Sequence, residues 1–215
     1  MRGLPLHVSF ATLSLGLVGA LAPAASAHGH HRHDYDQVGS GAFIQADFGF
    51  GYGMMSAFDG VDMDGTALTL SGAIGTMASD FVGLEAAAWG SFILHPGVEL
   101  GIFDATATGD ATCAVGGAGP GVIVRVGPFW GSFAVGLSFG AVASPVVSDD
   151  FGKHETRSDG AGLGFRTALG GDLDVGERVG LGLGLAFTFA SMPLHDEDMW
   201  GTFFGVGLVT DLTFD

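Results

Sequence analysis

One cysteine, seven lysines and arginines, two tyrosines and seven prolines are all that 215 residues hold of these types. The single Cys113 rules out an internal disulfide, and no histidine or acid is arranged around it to raise a reactive thiolate. It reads as an incidental thiol. Basic residues are so few that 23 Asp and Glu leave a formal charge of −16 with histidine neutral. Nucleic acid and anionic membrane surfaces are poor partners for such a charge. No P-loop and no G-x-S-x-G sequence occurs. The many Gly-x-Gly runs lack the helical pattern that must follow a nucleotide loop.

Long apolar runs are also missing beyond the first 27 positions. Those positions have the form of a secretory signal peptide. Arg2 supplies the positive start, Phe10–Leu21 the apolar core, Pro23 a break and Ala25-Ser26-Ala27 a small–x–small cleavage site. The core is shorter than the ~20 residues of a spanning helix. Cleavage there would leave His28 as the first residue. It removes Arg2, so six basic residues face 23 acidic ones, a charge of −17. Residues 28–40 then form a histidine-rich tail and residues 41–215 one domain.

What is abundant is glycine, 39 residues, and it falls in phase. Over Val179–Ala190 the odd positions are Val, Leu, Leu, Leu, Phe and Phe, and the even ones Gly, Gly, Gly, Ala, Thr and Ala. Successive strand side chains point to opposite faces, so one face here is bulky and the other small. Phe129–Ala141, Trp200–Phe214 and Ala161–Val175 repeat the pattern. Ala42–Met54, Thr66–Ala78, Phe81–Phe92 and Ala118–Val126 follow it more loosely, and Ile123 interrupts the polar side of the last. Eight strands result, most long enough for the ~9–11 residues of a tilted bilayer crossing.

The polarity of the faces selects the solvent. A soluble barrel buries its bulky apolar face. Here every charge lies on the small face, so the bulky face is expected to meet lipid and the small one a lumen. Unpaired strand edges cannot stand in hydrocarbon, so the sheet must close. Connections alternate between tight turns (78–80, 127–128, 176–178) and longer segments (57–65, 93–117, 142–159, 191–199). Short periplasmic turns and long outer loops fit that alternation. The expected fold is all-β, an eight-stranded antiparallel up-and-down transmembrane β-barrel, with both termini periplasmic.

At this point the chain resembles the small eight-stranded outer-membrane proteins of the OmpA/OmpX type. The residues that carry the likeness are Val179-Gly180-Leu181-Gly182-Leu183-Gly184-Leu185, Gly119-Pro120-Gly121-Val122 and the closing strand that ends at Phe214. It spans about residues 41–215. The resemblance implies a bacterial outer-membrane location, lipid, lipopolysaccharide and the outer-membrane assembly machinery as partners, and a monomer. It implies structural, adhesive, resistance or solute-passing roles without choosing among them.

Three groups of residues could carry chemistry. Glu85, Arg125, Asp47, Arg166, Asp172, Asp174 and Asp211 fall on the small face, as lumen charges that pair or form an electrostatic plug. Glu85 and Arg125 are expected at similar depth, with Arg166 higher. His28, His30, His31 and His33 could bind Cu, Ni or Zn. With cleavage after Ala27, the free amine, two backbone nitrogens and the His30 imidazole can wrap a square-planar ion. Acidic segments around Asp59–Asp64, Asp149–Asp159 and Asp196–Asp198 read as an outer face that meets divalent ions among lipopolysaccharide head groups. His95, His154 and His195 all fall in segments read as loops, without a hydroxyl and an orienting group beside them. A non-enzymatic barrel with a structural or surface-interaction role is therefore expected. A narrow ion- or solute-permeable barrel and a rim enzyme acting on lipid A are the alternatives.

Overall fold

The computed structural model describes residues 41–57, 61–100, 106–108, 112–143, 146–149, 152–154, 157–176, 178–194 and 199–214. Eleven strands follow one another: β1 (Ala42–Ala57), β2 (Val61–Met77), β3 (Val82–Leu100), β4 (Thr106–Thr108), β5 (Thr112–Val126), β6 (Phe129–Ala143), β7 (Val146–Asp149), β8 (Gly152–His154), β9 (Arg157–Gly176), β10 (Val179–Leu194) and β11 (Met199–Phe214). Eight of them close a barrel in the order β1-β11-β10-β9-β6-β5-β3-β2. Every neighbouring pair is antiparallel. The other three form a small sheet, β4-β7-β8, between the ends of longer strands. The up-and-down barrel expected from the alternation is therefore the fold.

Closure is staggered. Starting at Phe43, one rung runs through Gly75, Glu85, Gly121, Ala134, Arg166, Thr188 and Gly205. It returns to β1 at Gly53, ten residues above its start. Such a shear tilts strands about 35–45° from the barrel axis. Tilted strands bring residues far apart in sequence to one depth, which matters for the lumen below.

The faces point as the periodicity requires. Phe48, Phe50, Leu183, Leu173 and Leu208 stand outward with 46–74% of their surface exposed, while Asp47, Glu85, Arg166 and Asp211 are buried inside. Among the described residues none of the buried apolar side chains is a leucine. On the outer wall Phe133, Phe165, Phe189 and Phe187 with Phe204 form an aromatic band, with ring centroids 4.6–5.9 Å apart. The opposite wall carries small residues instead. Ala46, Gly72, Ala86, Ala88, Ala118 and Pro120 line a shallow apolar groove of about 460 Å³ there.

Inner glycines make room for lumen side chains. A Cβ at Gly117 would lie 2.6 Å from the Trp89 ring, and one at Gly170 2.6 Å from the Trp130 ring. Among the described residues Gly127 alone takes a left-handed conformation, φ 59°, in the two-residue turn with Pro128. That is the conformation an L side chain resists.

The strands run further than the sequence suggests. β3 continues to Leu100, β5 begins at Thr112, β6 ends at Ala143, β9 begins at Arg157 and β10 ends at Leu194. Much of the segments read as 57–65, 93–117, 142–159 and 191–199 is therefore ladder. The cause at β3 is a bulge. Thr66 pairs with Leu94 but Asp64 with Gly97, so His95 and Pro96 together oppose Gly65 and β3 carries one extra residue. A bulge shifts the phase of alternation and suits a proline, which has no N–H to give. His95 is thus in a strand and His154 ends β8, not in loops. Asp62 and Asp64 belong to β2, Asp149 to β7 and Asp159 to β9. His195 and Asp196–Asp198 lie outside the described residues.

Candidate functional site

The lumen is the place where this fold gathers polar and charged side chains. The tight turns and both ends of the barrel chain share one rim, since Ile44 pairs with Phe214 and Ala42 with Thr76. A vestibule of about 300 Å³ opens at this turn end, lined by Arg125, Trp130, Asp172, Asp174, Gly180 and Thr213. Trp130 Nε1 donates to Asp172 Oδ1 at 2.6 Å. The Thr213 hydroxyl lies between Asp211 Oδ1 at 2.8 Å and Asp172 Oδ2 at 3.4 Å, and donates to the nearer. The Arg125 guanidinium sits over the Phe43 ring, 5.2 Å from its centroid.

One layer deeper, the charges converge. Asp47, Asp211, Gly182 and Asp172 occupy one rung on four successive strands. Gly182 leaves the space that Asp172 fills, because a Cβ there would stand 2.0 Å from Asp172 Oδ1. Arg166 makes a salt bridge to Asp47 through its Nη2. Ser71 Oγ donates to Asp47 Oδ2 at 2.6 Å, and Gln45 Nε2 to Oδ1 at 3.2 Å. Arg166 also shares its rung with Glu85, by way of Ala134 and Gly121. The long arginine reaches the Asp47 carboxylate across the lumen, from a strand three places away in the barrel.

The sequence set the seven charged residues on the inner face, and there they are. The partner of Asp47 was not legible, because the shear decides which strands meet in the lumen. The register sets Arg125 opposite Phe81, whose carbonyl accepts the Arg125 N–H at 2.9 Å. It sets Glu85 opposite Gly121. Glu85 Oε2, Asp211 Oδ2, Gln45 Oε1 and Trp89 Nε1 are buried with no hydrogen-bond partner among the described residues. Native interiors meet such atoms with water. The turn-end half is also where the charges gather. It holds the carboxylates of Asp47, Glu85, Asp172 and Asp211 against the guanidiniums of Arg125 and Arg166.

The loop-end half differs from the small, polar lumen expected. Met55, Met63, Ile93, Cys113, Val115, Val142, Ala190, Met192 and Phe203 pack into one buried apolar cluster. Six of its members, Met63, Ile93, Cys113, Val115, Val142 and Met192, come from segments read as loops. Inward parity carried past the expected strand ends would have found them. His28, His30, His31 and His33 lie outside the described residues.

The ion pair gives a direct expectation. Asp47→Asn leaves Arg166 a buried cation without its counter-charge, which costs about 3–5 kcal/mol. Replacing both, Asp47→Asn with Arg166→Gln, costs less than the sum of the single changes, because neither charge is stranded. Denaturant-induced unfolding of the four proteins in lipid vesicles measures the coupling. Additive losses would mean that the bridge contributes nothing.

No protein-family model matches the chain, and no curated protein is similar to it in sequence. Solved structures resemble it in fold. Ail, the attachment invasion locus protein of Yersinia pestis, aligns with a TM-score of 0.48 and 10% identity over 79% of this chain and 98% of its own. OprG of Pseudomonas aeruginosa aligns with a TM-score of 0.45 and 14% identity over 84% and 99%. The outer membrane protease OmpT of Escherichia coli aligns with a TM-score of 0.42 and 10% identity over 80% and 96%. An adhesion-related protein and a protease stand side by side in this set, so the likeness is one of architecture. This chain is a closed eight-stranded antiparallel barrel whose bulky apolar side chains stand on the outside.

Proposed function

We propose that this chain is a closed, non-enzymatic barrel of the bacterial outer membrane with a structural or surface-interaction role. The observation that carries the reading is the filled lumen. The apolar cluster around Met55, Met192 and Phe203 occupies the loop-end half, and the Asp47–Arg166 bridge crosses the half below it. An apolar constriction resists wetting, and ions do not cross it. The turn end, with the vestibule and both ends of the barrel chain, faces the periplasm, and the β4-β7-β8 sheet faces outward. The first 27 residues direct export and are removed. Lipid and lipopolysaccharide cover the wall, the assembly machinery inserts it, and it works as a monomer.

The test is conductance. Mature protein reconstituted in planar bilayers gives no discrete openings under an applied potential. Steady openings would favour the narrow-pore alternative and overturn the closed reading. Lipid A from cells with and without the protein shows one mass profile; an altered profile would establish a rim enzyme instead.

A further inference from the structure

The apolar cluster has a composition that filling space does not require. It holds three of the chain's seven methionines, Met55, Met63 and Met192, and its single cysteine, Cys113. Each is at most 2% exposed. Leucine, the chain's usual bulky residue on the outer wall, is absent from the cluster. Volume alone would be met by leucine at less loss of order, since methionine is the more flexible filler.

Placement puts the four sulfur-bearing residues in one buried cluster, from strands on both sides of the lumen. Met55 and Met63 are direct partners across the β1–β2 ladder. Met192 starts on β10 and crosses two strands. At Gly162 on β9 an added Cβ would stand 2.9 Å from Met192 Cβ, and at Gly140 on β6 it would stand 2.5 Å from Met192 Sδ. The same point at Gly140 is 3.5 Å from Val115 Cγ2 on β5. Val115 lies two residues from Cys113 on the same inward face. Two glycines thus form a saddle over which the Met192 thioether reaches toward the cysteine strand.

We infer that this sulfur-rich cluster is a binding site for a soft monovalent metal ion, Cu(I), for which Ag(I) is a chemical stand-in. Thioethers and thiolate are the ligands that select Cu(I), and Met55, Met63, Met192 and Cys113 bring them into one buried cluster. Charge also fits. Binding replaces the Cys113 proton, so that an S–H bond breaks, an S–metal bond forms and the proton leaves to water. The metal keeps its oxidation state. A monovalent ion on one thiolate is neutral overall, which is what an apolar compartment tolerates. Methionine side chains, with three rotatable bonds, can turn their sulfurs onto the ion without moving the strands.

The test uses the full mature chain in detergent micelles, loaded with Cu(I) under reductant and challenged with a competing Cu(I) chelator. One ion per barrel is expected to be retained, with sulfur-only coordination in X-ray absorption. Ag(I) is expected to protect Cys113 from thiol-reactive reagents in partly denatured protein. The Met55→Leu, Met63→Leu, Met192→Leu triple variant conserves volume, and its unchanged heat-modifiable gel mobility certifies the fold. It is expected to lose at least the roughly tenfold in affinity that losing an outer-sphere partner alone costs. Cys113→Ser is expected to lose affinity and the proton release together, while His30→Ala retains both. Retention of no metal, or equal retention by the triple variant, would show the cluster to be packing only.

Discussion

Gly136→Ala is expected to abolish the folded barrel, while Gly90→Ala, the same change on a neighbouring part of the wall, leaves it intact. The two glycines look alike in the sequence, each in an alternating strand beside bulky residues. At Gly136 an added Cβ would lie 2.0 Å from the carbonyl oxygen of Ala118 and 2.7 Å from the Cα of Gly119. The approach is reciprocal, for a Cβ at Gly119 would stand 2.0 Å from the oxygen of Val135. Both obstacles are backbone, so no side chain can swing aside, and β5 must part from β6. In hydrocarbon a parted ladder exposes N–H and C=O groups at several kcal/mol each. The loss therefore exceeds the about 1–3 kcal/mol of ordinary overpacking. At Gly90 the nearest atoms are 3.9 Å away, an ordinary contact. Refolding yield into vesicles, read by heat-modifiable mobility, separates the two. Normal folding of Gly136→Ala would mean that β5 and β6 do not approach so closely.

Emptying the lumen is expected to turn a silent barrel into a cation-preferring channel. Two layers have to go. Met55→Ala, Met192→Ala and Phe203→Ala truncate the apolar cluster, and Asp47→Asn with Arg166→Gln removes the bridge without stranding either charge. Each large-to-small change in a packed interior costs about 2–5 kcal/mol, so the fold of every variant is checked by gel mobility before conductance is read. Removing one layer leaves the other in the path. Removing both leaves Glu85, Asp172 and Asp211 facing Arg125, so the openings should favour cations and shrink when Glu85→Gln is added. A folded five-fold variant that stays silent would locate the barrier elsewhere. Anion preference would contradict the charge distribution of the lumen.

Much of this barrel is legible from residue phase. The runs Val179–Ala190 and Phe129–Ala141 assign their own inner and outer faces, because a strand has no other way to display a two-residue period. The lumen charges follow from the same rule. Where the reading faltered, the pattern itself weakens. At His95-Pro96 a bulge breaks the phase, and across Cys113–Gly117 only Val115 is bulky, so small residues on both faces hide the alternation. Those strand extensions carry Ile93, Cys113 and Val115 of the apolar cluster. The Asp47–Arg166 contact was hidden for another reason. It joins strands that are not neighbours, and no local pattern encodes which residues a staggered closure sets at one depth.

By itself the sequence determined the secondary structure, the greasy outside, the charged inside and the rim that carries the tight turns. These rest on local alternation and on the charge each side chain brings with it. Only the tertiary structure decided how far the strands run, that an apolar cluster packs at the loop end of the lumen, and which carboxylate Arg166 meets. Those depend on shear and tilt, which are properties of eight strands closed together rather than of any one of them.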